Sequence, residues 1–145
     1  MERGDVPSDH EDVRRLLADY CLRLDDGDHE GVAELFADDG EFEVMGATHT
    51  GRRAIADMYK QFDEMGAPRG KHVTLNSSIE VRGDEATVLS DFVFLAFDPD
   101  GSTWRVFAAG RYEDLMVRQD RWRFRRRRDM LHPGTDLTRL LAPGG

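Results

Sequence analysis

The sequence has little of three things: cysteine, long apolar runs and excess positive charge. Its single cysteine, Cys21, cannot form an intramolecular disulfide, which argues against a disulfide-stabilised secreted domain. No apolar stretch approaches the roughly 20 residues that a membrane-spanning helix needs. The net charge of -9 disfavours nucleic acid and anionic membranes as partners, because both attract clustered Lys and Arg. These absences predict a cytoplasmic protein that binds neither nucleic acid nor membrane.

Several catalytic motifs are missing as well. No cluster of His, Cys, Asp and Glu has the spacing of metal ligands, and no Gly-rich segment has the pattern of a phosphate-binding loop. A Gly-x-Ser-x-Gly segment, which would mark a nucleophilic serine, is also missing. The sequence therefore predicts no metal and no cofactor, and it does not support nucleophilic catalysis.

The composition fits one domain with its own core. Of the 145 residues, 39% are hydrophobic and 34% are charged, which suits one apolar interior beneath a well-solvated surface. Periodic apolar patterns fill residues 8–131, so we predict a single domain over that range. Residues 1–7 are predicted to be a loose tail. Residues 132–145 form a second tail, whose leucines have helical spacing and could fold over the domain as a lid.

Apolar residues at helical spacing predict three helices. Ser8 and Glu11 form a Ser-x-x-Glu capping box at the start of the first helix, which Gly27 ends. The buried face of this helix is predicted to comprise Val13, Leu16, Leu17, Tyr20, Cys21 and Leu24. Asp28 is predicted to cap a short second helix, and a third helix follows Gly51. The apolar face of the third helix comprises Ile55, Met58, Tyr59 and Phe62.

The rest of the chain favours strands. Asp38-Asp39-Gly40 is predicted to be a turn that leads into a short strand at residues 41–45. Longer strands with an alternating pattern are predicted at 71–82, 86–97, 103–117 and 121–131. The hairpin turns between them contain Gly83-Asp84, Pro99-Asp100-Gly101 and Gln119-Asp120. Helices followed by a strand meander predict an α+β domain, in which three helices pack on one face of a curved antiparallel sheet.

This order of elements and several local motifs resemble the SnoaL-like branch of the NTF2-like superfamily. The most recognisable motif is Leu24-Asp25-Asp26-Gly27-Asp28, followed by Leu35-Phe36-Ala37-Asp38-Asp39. Supporting motifs are Gly51-Arg52-Arg53-Ala54-Ile55 and Trp122-Arg123-Phe124. The resemblance covers residues 8–131 and implies a cone-shaped α+β barrel with an enclosed apolar cavity. This fold hosts dehydratases, isomerases, cyclases and non-catalytic proteins, so the fold alone does not fix the function.

Asp25 and His72 have the clearest chemistry. A carboxylate that holds an imidazole makes a base, because it orients the ring and stabilises the protonated form. Their placement resembles the pair in dehydratase-like families such as scytalone dehydratase, hexachlorocyclohexane dehydrochlorinase and bile-acid dehydratase. Those enzymes use the pair to remove a proton while water or chloride leaves. Tyr20 stands where the same branch places a phenol. The alternative is structural: a solvated Asp25, a hydrogen-bonded strand His72 and a core Tyr20.

Other side chains are predicted to line the cavity. The apolar ones are Phe42, Met58, Phe62, Phe92, Phe94 and Trp104. Asn76 shares strand parity with His72 and is predicted to form part of a polar wall. Arg126 shares the parity of Trp122 and Phe124, so it is predicted to enter the cavity and bind an anionic or carbonyl group. The alternative for the arginine run is a solvated face paired with carboxylates.

The resemblance also has departures. Ketosteroid isomerases need an acid on the first strand, where this chain has Val44. The polyketide cyclases of the family use an Asp late in the sheet, for which the sequence offers no convincing counterpart. A cofactor-free lyase that eliminates water from a hydrophobic small molecule is therefore favoured. The alternatives are a cyclase or isomerase with the same base, and a non-catalytic binding or assembly module. The resemblance further implies a homodimer formed through the outer face of the sheet.

Overall fold

The computed structural model describes residues 8–98 and 102–135. Its elements are α1 (Asp9–Asp25), α2 (His29–Glu34), β1 (Phe36–Val44), β2 (Ala47–Thr50), α3 (Arg52–Glu64), β3 (Gly70–Arg82), β4 (Glu85–Asp98), β5 (Thr103–Arg118) and β6 (Trp122–Leu131). Three predicted features lie outside the described residues: the tail at 1–7, the turn at 99–101, and the part of the lid that contains Leu137, Leu140 and Leu141.

The first two helices begin at the caps that the sequence predicts. The hydroxyl of Ser8 accepts a hydrogen bond of 3.2 Å from the backbone N–H of Glu11. The carboxylate of Asp28 likewise accepts a bond of 2.9 Å from the N–H of Gly31. Between them, Gly27 has a φ of 75°, which few other residues adopt, and it turns the chain out of α1. This arrangement fixes Asp25 in the last turn of α1.

Within the described residues, the sheet has six strands in the order β2-β1-β6-β5-β4-β3. It is curved and open, with β2 and β3 as its edges. The four long strands agree with the predicted ones to within one residue at each end. The helices pack on one face of this sheet, so the α+β expectation is confirmed. All neighbouring strands are antiparallel except β1 and β6, which run parallel, a pairing that the sequence did not predict.

The predicted turn at Asp38-Asp39-Gly40 is wrong. These residues lie inside β1, where the register against β6 shifts between Phe36 and Glu41. The two acids are exposed on this irregular stretch, so they need no turn to reach solvent. A bulge of this kind inserts residues into a strand without ending it, and it therefore mimics a turn in the sequence.

A second irregularity changes which face of β6 is buried. Across the sheet, Leu115 pairs with Arg126 whereas Met116 pairs with Phe124, so Arg125 is an extra residue in β6. The alternation before and after this bulge is consequently out of phase. Phe124 and Arg127 are both buried, although three residues separate them. The bulge thereby directs Arg127 toward the inner face of the sheet.

The core lies between the helices and the inner sheet face. Gly110 on β5 shows how closely this side is packed, because a Cβ there would lie 2.5 Å from the carbonyl oxygen of Met130. The same Cβ would lie 2.6 Å from the ring of Phe92, so only glycine fits. Among the described residues, no helix is long and apolar enough to cross a bilayer.

Candidate functional site

A cavity of about 140 Å³ lies between the helices and the inner sheet face. Aromatic rings form much of its wall. Four of them were predicted to do so: Phe42, Phe62, Phe92 and Phe94. Tyr20, Tyr59 and Tyr112 complete the aromatic wall. Among the described residues, the carboxylate, imidazole and guanidinium side chains in the wall are those of Asp25, His29, Asp63, Arg69, His72 and Asp129. An apolar chamber with a few polar groups is the usual form of a small-molecule site.

The structure brings Asp25 and His72 into direct contact. Nδ1 of His72 lies 2.7 Å from Oδ1 of Asp25. The backbone N–H of His72 also donates to both carboxylate oxygens, at 3.1 Å each. The side chains of Asp25 and His72 are 6% and 22% exposed, so the pair is sheltered but reachable. Helix α1 supplies the carboxylate and the first residues of β3 supply the ring.

This contact determines which ring nitrogen can act as a base. A carboxylate accepts hydrogen bonds, so Asp25 holds the proton of a neutral His72 on Nδ1. Nε2 then carries the lone pair, and no described residue forms a hydrogen bond with Nε2. The ring of Phe94 lies against the imidazole, with centroids 4.5 Å apart, and restricts its rotation. Such an arrangement leaves Nε2 able to accept a proton beside the apolar cavity.

Tyr20 is buried and lines the cavity with its hydroxyl bonded to that of Tyr59. Burial raises the pKa of Tyr20 and of Tyr59 well above that of an ordinary phenol, so both stay protonated. Only one of the two protons is used between the hydroxyls. The second remains available to a ligand oxygen. The core role and the role as a phenol in the cavity wall are therefore compatible.

Asp129 is a site residue that the sequence interpretation missed. It stands on β6 opposite Tyr112 on β5, and it lines the cavity. The sequence offered no convincing counterpart to the late Asp of the family's cyclases, and Asp129 is an Asp late in the sheet that lines the cavity. Burial raises the pKa of Asp129 to about 7, against the opposing effect of the Arg127 charge. Near neutral pH this carboxyl consequently exists in both forms and can donate a proton.

Arg127, two residues before Asp129 on β6, forms a fully buried pair with Asp114. Its Nε is 3.2 Å from Oδ1 of Asp114, and both side chains are 0% exposed. The guanidinium carbon lies 3.5 Å from the ring centroid of Tyr112 and 4.1 Å from that of Tyr20. Burial alone would lower the pKa of Arg127, but the charge of Asp114 raises it above its ordinary value. Arg127 therefore stays cationic and faces the aromatic rings, while Asp114 neutralises it.

Replacing Asp129 with asparagine is expected to stabilise the protein at alkaline pH. The folded-state pKa is raised from 3.8 to about 7, so the folded state holds more protons between those values. Stability of the wild type therefore falls as pH rises through this window, whereas Asp129→Asn does not incur this penalty. Urea unfolding at pH 8 should show that Asp129→Asn raises the free energy of unfolding by about 2 kcal/mol. This figure is smaller than the full pKa shift implies, because the carboxyl is partly exposed and solvent screens its charge. The gain should vanish near pH 4; an equal gain at both pH values would contradict the account.

A second imidazole–carboxylate pair lies in the cavity wall. Nε2 of His29, at the start of α2, is 2.7 Å from Oδ2 of Asp63 on α3. The His29 ring lies parallel to that of Tyr59, with an angle of 12° between the planes. No sequence pattern indicates this pair, because its partners are on different helices and neither breaks an apolar pattern.

Four predicted cavity residues lie elsewhere. Trp104 is 56% exposed near the start of β5, outside the cavity wall. Asn76 lies at a bulge in β3 with a φ of 52° and donates to Asp91 on the sheet surface. Asn76 was predicted to face the same side of β3 as His72, but the extra residue at that bulge interrupts the alternation. Met58 is buried in the core but does not reach the cavity.

Arg126 is the fourth misplaced residue, and the bulge at Arg125 explains it. Arg126 was assigned to the inner face by counting in twos from Phe124, but the extra residue reverses that count. Arg126 is exposed on the outer face, and Arg127 takes the inward position. A run of four arginines hides the phase change, because no apolar residue within it marks the buried side.

Comparison with known proteins decides the family. The model of the SnoaL-like domain matches residues 6–128. The chain belongs to the SnoaL-like family. The resemblance predicted from the sequence motifs is thereby confirmed. None of the curated proteins matches the chain.

Solved structures agree with this assignment. Rv3472 from Mycobacterium tuberculosis, a protein of unknown function, is 33% identical, with a TM-score of 0.77 over 83% of this chain and 70% of that one. An NTF2-like protein with a cystatin-like fold from Novosphingobium aromaticivorans is 30% identical, with a TM-score of 0.75 over 92% of this chain and 88% of that one. ActVI-ORFA from Streptomyces coelicolor is 20% identical, with a TM-score of 0.75 over 84% and 96%, and supports the SnoaL-like fold alone.

Proposed function

We propose that this SnoaL-like protein is a cofactor-free lyase that eliminates water from a hydrophobic small molecule. The observation that carries the proposal is the 2.7 Å contact between Nδ1 of His72 and Asp25 in the cavity wall. That contact leaves Nε2 as an oriented base inside an aromatic chamber. Low water content strengthens the electrostatic interaction of the pair and limits side reactions.

The reaction begins at a carbon acid, such as the carbon between a carbonyl and a carbon that bears a hydroxyl. Nε2 of His72 removes the proton, and the ring becomes an imidazolium that the carboxylate of Asp25 stabilises. The electron pair of the broken C–H bond forms the new double bond as the C–O bond breaks. The departing oxygen takes a proton and leaves as water.

Asp129 is the group best suited to supply that second proton. Its carboxyl lines the same cavity, and its pKa, raised by burial to about 7, keeps a protonated fraction at neutral pH. The hydrogen-bonded hydroxyls of Tyr20 and Tyr59 have one free proton between them, which is donated to the carbonyl oxygen as negative charge develops there. Transfer of the proton from His72 to solvent and uptake of one by Asp129 then restore the starting forms.

Asp129 also favours a second candidate, a cyclase or isomerase with the same base. In a cyclisation, His72 takes a proton from one carbon, and that carbon forms a new bond to a carbonyl carbon of the same molecule. The C=O π bond breaks as this bond forms, and Asp129 gives a proton to the carbonyl oxygen. No water is lost until a later step. The mass of the product separates the two reactions, because elimination removes one water from the substrate and cyclisation or isomerisation leaves the mass unchanged.

A screen of hydrophobic β-hydroxy ketones, assayed by the absorbance of the conjugated product, tests the lyase proposal. The wild type should form product and His72→Gln should not. Arg126→Gln is a suitable control, since this exposed arginine lies on the other side of the sheet and should leave turnover unchanged. Equal turnover by the wild type and His72→Gln would rule out His72 as the base. Conversion without loss of water would favour the cyclase or isomerase.

Exposed apolar residues on the outer sheet face support the further proposal of a homodimer. Trp104 and Val106 on β5 are 56% and 62% exposed, beside the exposed Phe97 on β4. A cluster of this kind on a soluble surface usually marks an interface. Sedimentation of the wild type should give a dimer, and Val106→Glu should give monomers. A monomeric wild type would contradict the proposal; co-purification of a different chain would favour an assembly module.

A further inference from the structure

Arg69 differs from the other polar residues of the cavity in charge and position. Among the described residues, it is the only arginine or lysine in the cavity wall. It lies between α3 and β3, and its side chain is 67% exposed, so it stands at the mouth. The phenols of Tyr20 and Tyr112, by contrast, are buried at the inner end. A ligand that fills the cavity therefore meets a cation at the mouth.

Because Gly27 has no side chain, there is room beside it for the guanidinium of Arg69. A Cβ at this position would lie 2.8 Å from Nη1 of Arg69 and 3.0 Å from Nη2. Any larger residue at position 27 would displace the guanidinium, in addition to straining a backbone with a φ of 75°. The guanidinium of Arg69 therefore lies against the end of α1, two residues beyond Asp25. The cation and the His72–Asp25 pair consequently share one side of the cavity.

The donors of Arg69 remain available. Its Nη2 is 3.6 Å from Oδ2 of Asp63, which is a long ion pair at a solvated site. That same oxygen is engaged by Nε2 of His29 at 2.7 Å. Apart from this ion pair, the guanidinium of Arg69 forms no hydrogen bond with another described residue. A guanidinium has five N–H donors in a planar fork that matches a carboxylate, so Arg69 is equipped to bind one.

We propose that Arg69 binds an acidic group of the substrate, which makes the substrate class an apolar carboxylic acid. The apolar body would fill the aromatic chamber, and the carboxylate would stay at the mouth beside Arg69. His29 contributes indirectly, because its bond to Asp63 limits how strongly that acid competes for Arg69. This inference rests on the proposed function only for the part of the substrate that reacts. Binding of the acidic group is argued independently, from the position and free donors of Arg69 at the cavity mouth.

Two probes of nearly the same shape test this proposal. The carboxylate 2-naphthoate and the neutral 2-naphthamide are titrated into the full-length protein at neutral pH, with binding followed by calorimetry. The wild type should bind 2-naphthoate about ten-fold more tightly than 2-naphthamide, as a charge-assisted pair requires. Arg69→Gln should remove that preference without weakening 2-naphthamide. Asp63→Asn should increase the affinity for 2-naphthoate, because it removes the competing carboxylate.

Arg53→Gln provides the matched control, since this arginine is exposed on α3 away from the cavity wall. It should leave both affinities unchanged. Equal binding of the two probes by the wild type, or no binding of either, would overturn the proposal. Equal weakening of both probes by Arg69→Gln would also overturn it, since that result indicates a structural role. Neither probe reacts, so these outcomes leave the role of His72 as a base to be judged by the turnover screen.

Discussion

Replacing Asp25 with asparagine is expected to lower kcat/KM for elimination by about 10³-fold, with little change in the fold. The carboxylate accepts the Nδ1 proton of His72 at 2.7 Å, and this leaves the lone pair on Nε2. An asparagine amide can donate to Nδ1 instead, which moves the ring proton to Nε2 and blocks the base. The neutral amide also cannot stabilise the imidazolium that forms.

Asp26→Asn is the matched control for this prediction. It removes the same charge from the next residue, but Asp26 is exposed beyond the end of α1 and has no contact with His72. Steady-state kinetics on a substrate from the screen should therefore show that Asp26→Asn keeps a kcat/KM close to that of the wild type, whereas Asp25→Asn shows the predicted loss. If Asp25→Asn and Asp26→Asn were equally active, Asp25 would be a solvated residue at the helix end.

Replacing Asp114 with asparagine is expected to destabilise the protein by about 3 kcal/mol. The substitution leaves the guanidinium of Arg127 in the core without the carboxylate that lies 3.2 Å away. No described residue forms a hydrogen bond with Nε, Nη1 or Nη2 of Arg127, so hydrogen bonds do not replace the lost charge. Part of the loss should be recovered by Asp129, because removing the Asp114 charge favours ionisation of its neighbour. Urea unfolding at neutral pH measures the effect.

Glu113→Gln and a double substitution make this prediction specific. Glu113 precedes Asp114 on β5 but points to solvent, where its 3.7 Å ion pair with Arg128 is screened. Its loss should cost less than about 0.5 kcal/mol. The double substitution Asp114→Asn with Arg127→Met should recover most of the stability, since it removes both buried charges. A loss as small as that of Glu113→Gln would show that the buried pair contributes no stability.

Local sequence patterns predicted the elements that depend on local chemistry. The capping box at Ser8 and the cap at Asp28 are confirmed, because a hydrogen bond over three residues leaves a direct trace in the sequence. The contact between Asp25 and His72 was also predicted, but from a family motif rather than from spacing. Pairing across 47 positions depends on how α1 packs against β3, which no local pattern specifies.

Three of the residues that were missed or misplaced share one physical cause. Arg127 was missed and Arg126 misplaced because one extra residue in β6 reverses the inside–outside alternation, and four consecutive arginines conceal the reversal. Asn76 was misplaced at a bulge of the same kind in β3. Asp129 was missed because its environment comes from β5 across the sheet. A bulge has no reliable local signature, so the inner face of a bulged strand needs the structure.

The tautomer of the neutral His72 ring tests the central claim most directly. Long-range nitrogen–proton NMR spectra of the neutral ring show which nitrogen carries the proton, and His72→Gln assigns the signal among the five histidines. We predict that the wild type carries the proton on Nδ1, and that Asp25→Asn moves it wholly or partly to Nε2. A wild-type ring protonated mainly on Nε2, unchanged in Asp25→Asn, would contradict the account, because His72 could not then act as the proposed base.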